Sequence, residues 1–190
     1  MTIKLFEEFS NNKREVSIDE FLDEINIDLE KREYIINWWK KNRAHIKIYH
    51  FNFSTRQPML GACMSENEIA INEKVNMPRH MAHIKLFIAL HESRHCDQEA
   101  QGILNSLYFQ TVVDDNKSEF LRNYFNLEKD ANDFAINSMK EIGFEREMRM
   151  EEDRLRGNEN AGEMIYGMMK RDIERYNPTN FFDLLKKQIF

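Results

Sequence analysis

The residues best suited to chemistry are His91-Glu92-Ser93-Arg94-His95. On a helix, side chains four apart lie one above the other, so both imidazoles can reach one cation. Glu92, about 100° further round, can meet a water held beside that cation. Imidazole nitrogens suit Zn2+, and a hydrolytic zinc takes three protein ligands and leaves one position open. The third ligand is therefore sought as an acidic residue on the inner face of another helix. Glu128 has that place on a helical wheel, within the stripe of Ala131, Asn132, Ala135, Met139 and Ile142. Lys129, Asp130, Asp133, Asn137, Lys140 and Glu141 collect opposite, so Asp130, the competing carboxylate, points outward. Ala131 and Ala135 are small enough to let two helices approach closely. Asn132, one turn beyond Glu128, is placed to hydrogen-bond a ligand imidazole. The expected reaction is hydrolysis of a peptide bond in a peptide or protein substrate. Glu92 acts in it as general base on the water that zinc activates, and then as proton donor to the leaving amine. A donor for the developing oxyanion is also expected, and Tyr108, Tyr124, Arg146 and Tyr166 qualify by residue type.

With HExxH on one helix and Glu128-Lys129-Asp130-Ala131-Asn132-Asp133-Phe134-Ala135 on a later one, the chain resembles the gluzincin branch of zinc metallopeptidases, the class that includes thermolysin. The second motif is similar to the E-x-x-A-[ND]-x-F-A pattern of small intracellular members, including the ImmA/IrrE-type family and the HtpX-type and CAAX-prenyl proteases. The likeness covers roughly residues 60 to 142. It implies a zincin-like fold, in which a small antiparallel or mixed sheet packs on the HExxH helix and its edge strand borders the cleft. Glu68 to Asn72 is the expected edge strand, able to hold an extended peptide by main-chain pairing.

These side chains need two helices to carry them. Pro78 can open the first, which runs from Arg79 to about Leu104. Ile84, Leu86, Phe87, Ile88, Ala89 and Leu90 leave only Lys85 polar in its middle, the pattern of a central buried helix. After a polar stretch from Asp114 to Ser118, the second runs from about Asn126 to Ile142 and is ended by Gly143. The sheet signal lies before them: His45 to Phe53, then MLGACM and EIAINE joined by Ser65-Glu66-Asn67. Ile69 and Ile71 alternate with Glu68, Ala70 and Asn72, which predicts one buried and one wet face. Upstream, Ser17-Ile18-Asp19-Glu20 has the form of a capping box, and Leu29 to Lys41 carries an aromatic face of Tyr34, Ile35, Trp38 and Trp39 expected in the core. Downstream, Met164, Ile165, Met168 and Met169 form a packing face, and Asn177-Pro178 breaks the chain before a last short helix.

The expected architecture is one mostly helical α+β domain over residues 1–190. It comprises an N-terminal helical layer (1–44), a small sheet (45–77), the metal-site helices (78–143) and C-terminal helices (144–190). A chain of 190 residues has length for one core and little more, and six glycines and three prolines favour helix over tight turns. The net charge of -6 argues against a nucleic-acid partner, because phosphate backbones are bound by basic faces. Two cysteines, Cys63 and Cys96, are too few for a disulfide scaffold. The stretch Ile84 to Leu90 is too short to cross a bilayer, so no membrane partner and a cytoplasmic location are expected; oligomeric state is not legible.

Two other readings compete. Gly61-Ala62-Cys63-Met64-Ser65 superficially resembles the cysteine motif of peptide deformylases, amide hydrolases that also use HExxH, which would make Cys63 the third ligand. Against it, the deformylase glycine-rich motif is missing and Arg94 stands where an aspartate is expected. Alternatively, the two histidines are core residues, or hold a structural metal, in a non-catalytic helical interaction protein. Cys96 is expected as a buried thiol on another face of the His91 helix, and His80 and His83 as a wet helix start.

Overall fold

A computed structural model describes residues 13–51, 60–73, 82–103, 112, 114–149, 162–163, 166–167 and 170–171. The first helix, α1 (Ile18–Glu24), begins as its sequence requires: Ser17 Oγ accepts from Glu20 N at 3.1 Å, and Glu20 returns the bond to Ser17 N at 2.8 Å. Its Phe21 and Leu22 are fully buried. Helix α2 (Leu29–Asn42) buries Ile35, Trp38 and Trp39, whereas Tyr34, expected in the core, is 54% exposed.

The sheet is mixed and four-stranded: β1 (Arg14–Val16), β2 (Lys47–Phe51), β3 (Gly61–Ser65) and β4 (Glu68–Asn72), in the order β1-β2-β4-β3. β1 pairs antiparallel with β2, β2 parallel with β4, and β4 antiparallel with β3. Three expectations are corrected here. The N-terminal layer is not all helical, since β1 precedes α1. Glu68 to Asn72 is no edge strand: it has a neighbour on either side, and β3 and β1 are the edges. Nor has β4 a wet face, because Ile69, Ala70, Ile71 and Asn72 are all buried. Ile69 and Ile71 join the main core with Ile48, while Ala70 lies in a small cluster with Tyr49 and Phe51 on the other face. The alternation separated the two faces, but both are covered.

Helix α3 (Ala82–Ala100) packs on β3 and β4 and against α4 (Lys117–Glu141). Ile84, Leu86, Phe87, Ile88, Ala89 and Leu90 are buried in an unbroken run, as a helix between a sheet and another helix must be. The start expected at Pro78 lies outside the described residues. His83, rather than standing in water, stacks on Phe144 with ring centroids 6.4 Å apart.

Helix α4 starts nine residues before the expected Asn126. Asn116 caps it, its Oδ1 accepting from Glu119 N at 3.2 Å, and the added turns bury Phe120 against Tyr166. Asn126 has a cap's residue type but lies mid-helix. The far end is as expected: Gly143 has φ +92°, Gly143 N donates to Lys140 O, and Phe144 N donates to Met139 O at 2.9 Å. This is a Schellman arrangement closed by the buried pair Met139 and Phe144.

Arg43, the C-terminal cap of α2, ties that helix to α3: its Nη1 donates to both oxygens of Asp97 at 2.9 and 2.8 Å, and its guanidinium lies over Phe134. Residues 145–149 are helical. The methionine face at Met164, Ile165, Met168 and Met169 and the break at Asn177-Pro178 lie outside the described side chains. Among the described residues, no helix is long and apolar enough to cross a membrane.

Candidate metal centre

His91 and His95 stand one turn apart on α3 with their Nε2 atoms 3.0 Å from each other. Glu128, from α4, faces both with different oxygens: Oε2 lies 3.4 Å from His91 Nε2 and Oε1 3.5 Å from His95 Nε2. Helix α4 packs against α3, and its small residues Ala131 and Ala135 are fully buried. The three donors fit a zinc ion. With zinc–ligand bonds of about 2.0–2.1 Å, a tetrahedral site separates its ligand atoms by roughly 3.3 Å, close to each of these three distances. One donor atom from each residue can be chosen so that all lie within 4.8 Å of one another.

Each imidazole is held from behind. His91 Nδ1 donates to Asn132 Oδ1 at 3.0 Å, the contact expected of Asn132, and His95 Nδ1 donates to Gln98 Oε1 at 2.7 Å. Sequence reasoning passed over Gln98, although its place three residues after His95 puts it on the same helix face. Asp130, expected to point outward, is half exposed but turns its carboxylate to α3, and it is not among the donors that converge with the two histidines. Its carboxylate receives Arg94 Nε at 2.8 Å and Nη2 at 3.3 Å, and also Gln98 Nε2 at 2.8 Å.

The electrostatics follow from burial and proximity. Burial alone would raise the Glu128 carboxyl, but hydrogen bonds from His91 and His95 outweigh it and bring the pKa down to about 2. Burial alone would lower His95; the Glu128 hydrogen bond and the Glu92 charge reverse this and raise it to about 9. Tyr124, one turn before Glu128, has its phenol pushed upward by burial and then by the charge of Glu128, with which it hydrogen-bonds, and of Glu92. Glu92 thus lies near both His95 and Tyr124.

The backbone of β3 presses against this part of α3. A Cβ at Gly61 would stand 2.6 Å from Ile88 Cγ2 and 3.0 Å from Glu92 Cγ, so only glycine lets the strand pass the base candidate this closely. Two residues on, Cys63 turns elsewhere. Its thiol donates to Ser65 O, and its pKa is raised first by hydrogen bonding with Cys96 and then by burial. Cys96 is fully buried, as expected, and donates to Glu68 O. Among the described residues, the donors that converge on the histidines include no cysteine sulfur.

Among the described residues singled out as oxyanion donors, Tyr124 is the one beside these donors, hydrogen-bonded with Glu128. Tyr166 is bonded to Asp115 at 2.7 Å, Arg146 lies exposed in the turn of helix after α4, and Tyr108 is outside the described residues. A second group unforeseen in the sequence, Glu24, His50 and Glu73, also converges. There Arg14 already supplies the cation, with Nη2 2.8 Å from Glu24, 3.3 Å from Glu73 and 3.3 Å from His50 Nδ1.

The chain matches no family model, no curated protein and no solved structure.

Proposed function

We propose that the protein is a zinc-dependent metallopeptidase of zincin-like architecture, with His91, His95 and Glu128 as metal ligands and Glu92 as general base. The observation that carries this reading is the convergence of these donors: His91 Nε2 and His95 Nε2 are 3.0 Å apart, with the two Glu128 oxygens 3.4 and 3.5 Å from them. Zinc held there would supply Lewis acidity, bringing the pKa of a water toward about 7 and polarising a carbonyl oxygen.

The chain's own residues have distinct tasks. Asn132 and Gln98 fix the imidazole rings. Glu92 takes the proton from the attacking water and hands it to the leaving amine. Tyr124, whose phenol is kept protonated by its burial and acidic neighbours, donates to the developing oxyanion. The substrate is an extended peptide paired to β3, the edge strand that touches Glu92 through Gly61; β3 takes the role first given to Glu68–Asn72. Cys63, bonded towards Cys96, offers no support for a deformylase-like ligand set.

The test compares zinc-loaded wild type with Glu92→Gln on a mixture of unstructured peptides, cleavage products being read by mass spectrometry. Wild type should cleave, and the variant should retain its zinc while losing about 10²–10⁴-fold in rate. No cleavage by either would favour the non-catalytic interaction protein, and equal cleavage by both would remove Glu92 as the general base.

A further inference from the structure

We infer that Gln98 is the positioning residue for His95, and that Asp130, two residues beyond the ligand Glu128, is what holds Gln98 in the one orientation that serves. This rests on reading His91, His95 and Glu128 as metal ligands, and adds to it a device the ligand set does not contain.

The Gln98 amide is 2% exposed, and its two ends are nearly alike in shape and opposite in hydrogen bonding. Its Nε2 faces two oxygens, Leu127 O at 3.2 Å and Asp130 Oδ2 at 2.8 Å. A main-chain carbonyl and a carboxylate are acceptors only, so the NH2 group must point at them and Oε1 must point the other way. Oε1 is 2.7 Å from His95 Nδ1. That nitrogen therefore carries the hydrogen, and Nε2 is the atom whose lone pair is left for a cation facing His91 and Glu128. A flipped amide would set NH2 against an N–H and a carbonyl oxygen against two oxygens, unfavourable at all three contacts.

Arg94 completes the chain. Its two contacts on Asp130 and a third on Asp97 at 3.2 Å keep the carboxylate in place although Asp130 is half exposed. Glutamate at position 98 would bring two carboxylates face to face, whereas the amide satisfies donor and acceptor together. Helix α4 thus acts twice on the centre: Glu128 supplies a ligand, and Asp130 sets the ring that supplies another.

The test is the zinc dissociation constant, measured by competition with a chromogenic chelator, for wild type, Gln98→Leu, Asp130→Ala and the double variant. Gln98→Leu should weaken zinc about 10–100-fold, and Asp130→Ala by up to about tenfold. The Asp130→Ala effect should vanish in the Gln98→Leu background, since the carboxylate acts through the amide. A purely structural role for Asp130 in joining α3 to α4 predicts additive losses instead, and additivity would overturn the inference. Should Gln98→Leu fail to fold, Gln98→Met takes its place in the same cycle: an Asp130→Ala effect that vanishes in that background upholds the inference, and additive losses overturn it. Wild type that takes up no zinc overturns the metal reading and this inference with it. Wild type that binds zinc while Gln98→Leu binds equally well overturns the positioning role only.

Discussion

Glu128 and His95 each sit well away from their ordinary pKa, in opposite directions: hydrogen bonds from His91 and His95 outweigh burial at Glu128, and the Glu128 hydrogen bond with the Glu92 charge outweighs burial at His95. The Glu128 carboxylate is lowered from 4.5 to about 2, so its stabilisation is complete above 4.5 and is lost as pH falls through about 2. The His95 imidazole is raised from 6.5 to about 9, so its stabilisation is complete below 6.5 and is lost as pH rises through about 9. Metal-free protein should therefore draw most from this pair between about pH 4.5 and 6.5, and its melting temperature should decline from there toward pH 9. Zinc has the reverse dependence, since uptake must displace the His95 proton: affinity should rise up to about tenfold per pH unit and level off near 9. Parallel melting curves and chelator titrations from pH 6.5 to 9.5 check both signs. At this scale the sequence was most legible. The spacing of His91 and His95 and the apolar surroundings of Glu128 identify three donors that converge in space. Gln98 was hidden because a glutamine three residues after a histidine is an ordinary helix neighbour until an acidic partner such as Asp130 gives its amide a direction.

Among the elements, β3 matters most for the proposed chemistry, and Gly61 is its point of closest approach to α3. Gly61→Ala places a methyl 2.6 Å from Ile88 Cγ2 and 3.0 Å from Glu92 Cγ, so strand or helix must move. A loss of about 1–3 kcal/mol in denaturant unfolding is expected, as for other overpacked contacts. Zinc affinity should change far less than peptide cleavage, because the strand touches Glu92 and not the ligands. Unchanged stability would mean that β3 lies further from α3 than described. The elements were less legible than the residues. Hydrophobic alternation in Glu68–Asn72 separates two faces but says nothing of which strands flank it, and three-residue β1 is too short to show a period. The start of α4 was misread because Asn126 and Asn116 have the same capping side chain, and only the burial of Phe120 tells them apart.

On the scale of the whole molecule, the α+β, mostly helical class and the helix carrying both histidines follow from composition and the apolar run 84–90. The layering does not, because it depends on which surfaces cover which. The N-terminal helices are joined to the centre through Arg43 and Asp97, on the same helix as the histidines, and the mixed sheet lies beneath. In this arrangement α3 and α4, joined by the Arg94–Asp130 pair, meet where His91, His95 and Glu128 converge. An ion there would link residues 91 and 95 to residue 128 and stabilise the fold by mass action as well as serve catalysis. The most direct test of the central claim is the zinc content of the purified protein by mass spectrometry, with Glu128→Ala prepared beside wild type. The account predicts close to one zinc per wild-type chain and its loss in the variant. Wild type without zinc after exposure to the metal, or a Glu128→Ala variant that keeps it, would contradict the account.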